Sequence, residues 1–120
     1  MNKFFLISAT LIFQLTSCSK SSEDRLQNPV LCDTTDVQYK ADVLPVIAAN
    51  CYRCHGAGIE EGDVNLEGYD NLKAYGENGD LVGVISHSSG YPPMPQDGDK
   101  LSDCAIAVIT AWVNEGMPNN

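Results

Sequence analysis

The sequence predicts an all-α domain, and three observations favour this class. Apolar residues near the C-terminus recur at helical spacing, at Ile106, Ile109, Trp112 and Val113. Residues typical of helix starts and stops flank the apolar stretches. The four glycines within residues 56–68 indicate a loop and not strands.

The first three helices are expected between residues 42 and 86. Asp42 should cap the first helix, whose first turn tolerates Pro45. Asp70 should begin a short helix that continues through Tyr75, and a further helix is expected over residues 80–86. The apolar residues of these segments are predicted to form the core.

The last helix has the clearest boundaries. Ser102 is a good N-cap, Asp103 favours the positive end of the helix, and Gly116 is expected to stop it. The segment between these residues carries the apolar stripe described above, so it should pack against the core.

Composition limits both the size and the class of the protein. The chain has 120 residues, with 7 Lys and Arg against 16 Asp and Glu, and a net charge of −9. This excess of acid argues against nucleic acid as a partner, because such binding needs clustered basic charge. The hydrophobic content of 43% argues against a disordered acidic tail. One small domain is expected, of a size that often depends on disulfides or cofactors.

The N-terminus is typical of an exported lipoprotein. Lys3 is followed by an apolar stretch at residues 4–13, which is too short to span a membrane and fits a signal peptide. Leu15-Thr16-Ser17-Cys18 is similar to a bacterial lipobox, in which Cys18 receives lipid. Cleavage before Cys18 would change the net charge from −9 to −10. An ordinary secretory peptide cleaved nearby remains the alternative.

This interpretation divides the chain into three parts. Residues 1–17 are the signal peptide, residues 18–30 are a polar tether, and residues 31–120 are the folded domain. The domain is expected to face the periplasm from a bacterial membrane, with the outer membrane preferred to the inner one and the cell surface as a further location. Export also means an oxidising compartment, in which disulfides can form.

The chemistry is concentrated in Cys51-Tyr52-Arg53-Cys54-His55. This C-x-x-C-H run is the attachment signature of c-type haem. Two thiols three residues apart on a helical turn can reach two vinyl groups on one edge of a porphyrin. The adjacent His55 can then ligate the iron from the proximal side.

Three other readings of the run compete with haem. A redox C-x-x-C would need a βαβ context, which the flanking sequence lacks. A zinc site would need two further ligands from Cys32, His87 and Cys104, which form no paired motif. The third alternative is that the cysteines are purely structural.

The sequence resembles the small monohaem cytochrome c domains of class I type, notably those carried by bacterial lipoproteins. Residues 39–50, which lead into the cysteine run, are typical of these domains, as are Met94-Pro95 in a proline-rich loop and Leu101-Ser102-Asp103 before a helix that contains Trp. The matching stretch covers residues 39–119. The resemblance implies cytochrome c-like helices wrapped around one covalently bound haem.

Met94 is the expected distal ligand of the iron. It lies 39 residues after His55 in Tyr91-Pro92-Pro93-Met94-Pro95, where prolines should make a stiff loop. The family's distal ligand is normally a Met followed by Pro. Met94 as a gap filler in the core is the alternative role.

Two further residues compete with Met94 for the iron. His87 would be a sound ligand, although the Ser-Ser-Gly that follows it offers no device for holding it. It is expected to be a hydrogen-bonded structural residue near the haem edge. Met117 also precedes a proline, but it is expected to make a surface or capping contact.

Cys32 and Cys104 remain once lipid and haem account for the other three cysteines. In the family that the chain resembles, the first and last helices pack near their ends, so a Cys32–Cys104 disulfide is plausible. Two buried free thiols are the alternative.

The expected function is that of an electron carrier and not of an enzyme. The chain would pass single electrons between redox partner proteins as a monomer, anchored to a membrane by its lipid. The acidic residues Glu60, Glu61 and Asp63 are expected to form a solvated face, which could steer a basic partner or only maintain solubility. A haem-based gas sensor, or a peroxidase-like enzyme using His87, is the alternative.

Overall fold

The computed structural model describes residues 32–120, and within this range the fold is all-α. Of these residues 52% are helical and none lies in a strand, which confirms the predicted class. No helix among them has the length and apolar character needed to cross a membrane. The expected signal peptide at residues 1–17, the tether at 18–30 and the lipidated Cys18 lie outside the described residues.

The first helical segment begins earlier than predicted. A π-helical turn, Tyr39–Val43, runs directly into helix α1, Leu44–Asn50. Pro45 occupies the first turn of α1, where its missing N–H would have no partner within the helix. The prediction that Asp42 caps the first helix is wrong. Asp42 lies inside the π-helical turn, and its carboxylate accepts a hydrogen bond of 2.8 Å from the backbone N–H of Gln38.

The other helices follow in order along the chain. Helix α2 is the short Tyr52–His55, and a 3₁₀ turn, Glu61–Asp63, interrupts the loop that follows it. Helix α3 is Tyr69–Glu77, α4 is Asp80–Ile85 and α5 is Asp103–Asn114. The predicted helices at residues 70–75, 80–86 and 103–115 are thereby confirmed, within one or two residues at each end.

The core lies between α5, the π-helical turn and the α3–α4 pair. Three aromatic rings connect these elements: Tyr39 stacks on Trp112 with centroids 5.6 Å apart, and Tyr69 meets Tyr39 edge-on at 5.2 Å. Such pairs add to the stabilisation from buried apolar area. The buried apolar side chains are Val37, Tyr39, Val43, Ile47, Leu66, Leu72, Leu81, Ile85, Leu101, Ile109, Trp112 and Met117.

The chain segment after α5 packs on the core. Its conformation corrects the prediction made for Met117. Gly116 has a φ of 86°, the N–H of Gly116 bonds to the carbonyl of Val113, and that of Met117 bonds to the carbonyl of Trp112. This is the Schellman arrangement that ends many helices. Met117 therefore has a capping role, but it is not at the surface, since it is only 7% exposed. Its Sδ lies 2.5 Å from the position that a β-carbon on Gly76 would take, so the glycine makes room for it.

Candidate functional site

Helix α2 brings Cys51, Cys54 and His55 together on one turn. The backbone N–H groups of Cys54 and His55 both bond to the carbonyl of Cys51, at 3.1 and 2.8 Å. The two thiols are free and half-buried, so they are neither joined to each other nor sealed inside the core. The turn thus presents two thiols outside any disulfide and an imidazole from five consecutive residues.

The imidazole of His55 has no polar partner among the described residues. Its Nδ1 is buried and makes no hydrogen bond. A buried polar atom without a partner is destabilising, and such atoms are rare in folded proteins. The backbone of His55 is by contrast fixed, because its carbonyl accepts the N–H of Leu66 at 2.8 Å. The residue is therefore held by its main chain, while the Nδ1 of its ring has no hydrogen-bond partner among the described residues.

The turn after His55 depends on Gly56 because of close packing. A β-carbon on Gly56 would lie 2.6 Å from the backbone oxygen of Tyr52, closer than real contacts allow. The N–H of the next residue, Ala57, donates to the carboxylate of Glu67 at 2.8 Å. Glu67 therefore closes the loop that returns towards α2. The sequence indicated a chain reversal at Gly56, but it did not reveal this carboxylate.

The environment of Cys51 distinguishes among the readings of the C-x-x-C run. Burial raises the pKa of the Cys51 thiol to about 11. Thiols that exchange disulfides act as thiolates, and their pKa values are typically lowered. Cys51 is therefore protonated at neutral pH, and the all-α surroundings lack the βαβ context of redox C-x-x-C sites. Both observations disfavour the thioredoxin-like reading.

Cys32 and Cys104 are joined in a disulfide, which argues against a zinc site. Their sulfurs are 2.04 Å apart and their α-carbons 5.3 Å apart, across a sequence separation of 72 residues. The bridge removes two of the three residues that could have completed a zinc site. Within residues 32–120 no three His, Cys, Asp or Glu side chains cluster as metal ligands. Paired His and Met ligation of an iron does not require such a cluster.

Met94 lies in a loop that is neither helix nor strand, as predicted, and it is half-buried. Its backbone N–H donates to the carbonyl of Val84 at 3.0 Å, which fastens the loop to α4. The peptide bond between Met94 and Pro95 is cis. We call residues 87–95 the Met94 loop.

His87 is tied to Met94. The Nε2 of His87 lies 3.0 Å from the backbone carbonyl oxygen of Met94. The sequence offered no device for holding His87, because its partner lies seven residues further along an aperiodic loop. No general sequence signal identifies such a contact.

The hydrogen bonds of residues 32–120 connect Met94 to α4 and His87, and connect His55 to Leu66. None of them joins Met94 to His55 directly.

The three acidic residues Glu60, Glu61 and Asp63 are exposed. The turn of α2 provides two thiols and one imidazole, and the Met94 loop provides one thioether and the imidazole of His87. No known family model, curated protein or solved structure matches the chain.

Proposed function

We propose that the protein is a lipid-anchored monohaem c-type cytochrome that carries single electrons outside the cytoplasm. Cys51 and Cys54 would hold the haem through thioether bonds, with His55 as the proximal and Met94 as the distal ligand of the iron. Cys18 would carry the lipid anchor. The exchange partners would be redox proteins that give and take one electron at a time.

The observation that carries this proposal is the chemistry of the α2 turn. It presents two free thiols three residues apart, beside an imidazole whose buried Nδ1 has no partner. Attachment of c-type haem converts two such thiols into thioethers, and the imidazole that follows them along the chain ligates the iron. The residues present therefore fit the group. A redox-active C-x-x-C site would need a lowered thiol pKa. A zinc site would need further metal ligands.

The bound haem would supply a one-electron couple between ferrous and ferric iron, with a potential that axial ligands and burial adjust. The protein's own residues would set that environment. The backbone of His55 is fixed by Leu66, and that of Met94 by Val84. Half-buried apolar side chains that pack against the core, among them Val46, Val64 and Val84, would offer apolar surface to a macrocycle.

The test is to express the full chain in a bacterium able to export and haem-load it, and to compare Met94→Leu with Met117→Leu. The wild-type protein should retain haem through a denaturing gel and show a six-coordinate, low-spin spectrum that carbon monoxide leaves unchanged. Met94→Leu should become carbon monoxide-sensitive. Met117→Leu should not, because Met117 packs against Gly76 in the core.

Two results would contradict the proposal. Haem retention by a Cys51→Ser/Cys54→Ser variant would show that these thiols do not attach it. A high-spin or carbon monoxide-binding wild-type protein would instead favour a gas-binding or peroxidase-like role.

A further inference from the structure

We propose that His87 is a positioning residue that holds Met94 in place for ligation, by donating a hydrogen bond from Nε2 to the Met94 backbone carbonyl. This inference rests on the proposed function, since Met94 is the distal ligand only if the protein carries the haem. It assigns His87 a role distinct from that of an axial ligand or an acid–base group.

The first argument is the backbone position of His87, which glycine would normally fill. His87 has a φ of 54°, in the left-handed region. Its N–H bonds to the carbonyl of Val84, and the N–H of Ser88 bonds to that of Gly83. These two bonds form the Schellman arrangement at the end of α4, in which the left-handed residue is usually Gly. A histidine is strained there relative to glycine, so we expect its side chain to make a contact that offsets the strain.

The second argument is the partner that the side chain meets. Nε2 of His87 lies 3.0 Å from the carbonyl oxygen of Met94, within hydrogen-bond distance. A carbonyl oxygen only accepts, so the ring must donate from Nε2. The left-handed backbone turns the imidazole back over the loop that His87 itself begins. The left-handed residue at the start of the Met94 loop, His87, thus contacts Met94 near the end of the loop.

The third argument is that the rest of the Met94 loop is anchored independently. The N–H of Met94 bonds to Val84 at 3.0 Å, and the N–H of Tyr91 bonds to Ser88 at 3.2 Å. The ring of Tyr91 lies on Gly83, where an added β-carbon would come within 2.6 Å of its atoms. Removing the imidazole should therefore leave the loop folded. Only the hydrogen bond to the Met94 carbonyl would be lost, and the bond from the Met94 N–H to Val84 would remain.

The experiment uses the haem-loaded full chain with three variants: His87→Asn, His87→Gly and, as a matched control, Ser89→Ala in the same loop. Asparagine and glycine both tolerate the left-handed backbone, and neither reaches Met94. The measurements are the affinity of the ferric protein for imidazole, the sulfur-to-iron charge-transfer band, and hydrogen exchange at the Met94 amide.

We expect His87→Asn and His87→Gly to bind imidazole about 3- to 10-fold more tightly than wild type, which corresponds to one lost hydrogen bond. A methionine that dissociates more often leaves the iron open for a larger fraction of time. The Met94 amide should exchange faster in both variants, and the thermal midpoint of His87→Gly should equal or exceed that of wild type. Ser89→Ala should match wild type in every measurement.

The outcomes separate this inference from the proposed function. If the wild-type protein retains no haem or lacks the charge-transfer band, the proposed function itself fails. If wild type shows both, but the two His87 variants bind imidazole and exchange the Met94 amide as wild type does, only the role of His87 is refuted. Conversion of His87→Asn to a high-spin form without any change in the Met94 amide would identify His87 as an axial ligand, and would also overturn the inference.

Discussion

Burial determines the chemistry of Cys51 at the scale of a single residue. The thiol sits where α1 meets α2, half-buried beside apolar side chains of the core. An apolar environment disfavours the charged thiolate, and this raises the pKa from its ordinary 9.0 to about 11. Cys51 is thus held as a neutral thiol at neutral pH.

The pKa of Cys51 can be tested in the folded chain without haem, in a Cys18→Ser/Cys54→Ser variant, in which Cys51 is the one thiol outside the Cys32–Cys104 bridge. Its alkylation rate should rise only as the pH approaches about 11. In urea, with the Cys32–Cys104 bridge intact, the same rate should rise near 9. The unfolded chain releases its proton first, so the free energy of unfolding should fall as the pH rises from 9 to 11. Coincident rate profiles with and without urea would contradict this.

At the scale of an element, α5 shows the most complete agreement between sequence and structure. The hydroxyl of Ser102 accepts a hydrogen bond of 3.2 Å from the backbone N–H of Ala105, as an N-cap residue should. Asp103 is in the first turn, and Gly116 is the left-handed residue after the last turn. Both ends of α5 are therefore fixed by local interactions.

Loss of the cap on α5 should be measurable. Ser102→Ala should lower the free energy of unfolding by about 1 kcal/mol, since the N–H of Ala105 loses its acceptor. Ser102→Asp should remain within a few tenths of a kcal/mol of wild type, because aspartate is an equally good N-cap. Chemical denaturation of the three proteins provides the comparison. Identical midpoints for Ser102→Ala and wild type would show that the cap contributes nothing.

Most features that the sequence predicted depend on nearby residues, and the Cys32–Cys104 disulfide, which the cysteine count suggested, is the exception. Ser102, Gly116 and the apolar stripe of α5 act within a few residues, so pattern alone located them. The burial of Met117 depends instead on Gly76, which lies on another helix. The contact of His87 with Met94 depends on a loop with no periodicity. The first depends on packing between separate segments and the second on the conformation of an irregular loop, and one sequence carries no direct sign of either.

At the scale of the whole molecule, the disulfide joins the start of the described chain to the first turn of α5. It encloses Cys51, Cys54, His55, His87 and Met94 within one covalent loop. A cross-link over 72 residues removes much of the freedom of the unfolded chain. In a domain this small, such a restraint is a large fraction of the total stability.

The contribution of the bridge can be measured with a Cys32→Ser/Cys104→Ser variant, which leaves no unpaired thiol at this position. The free energy of unfolding should fall by roughly 4 kcal/mol relative to the oxidised wild type, because the unfolded chain regains its freedom. Urea denaturation with both proteins in the same haem state makes the comparison. A loss below about 1 kcal/mol would mean that the bridge does little to restrict the unfolded chain.

The same bridge determines how the molecule bears mechanical load. Tension applied between the two ends of the chain enters at Cys32, crosses the sulfur–sulfur bond and continues from Cys104 towards Asn120. Residues 33–103 lie off this covalent path, so tension cannot draw them out into an extended chain while the bond is intact. In a domain pulled from its N-terminal side, the α2 turn and the Met94 loop could therefore not be stretched along the chain until the bond is reduced.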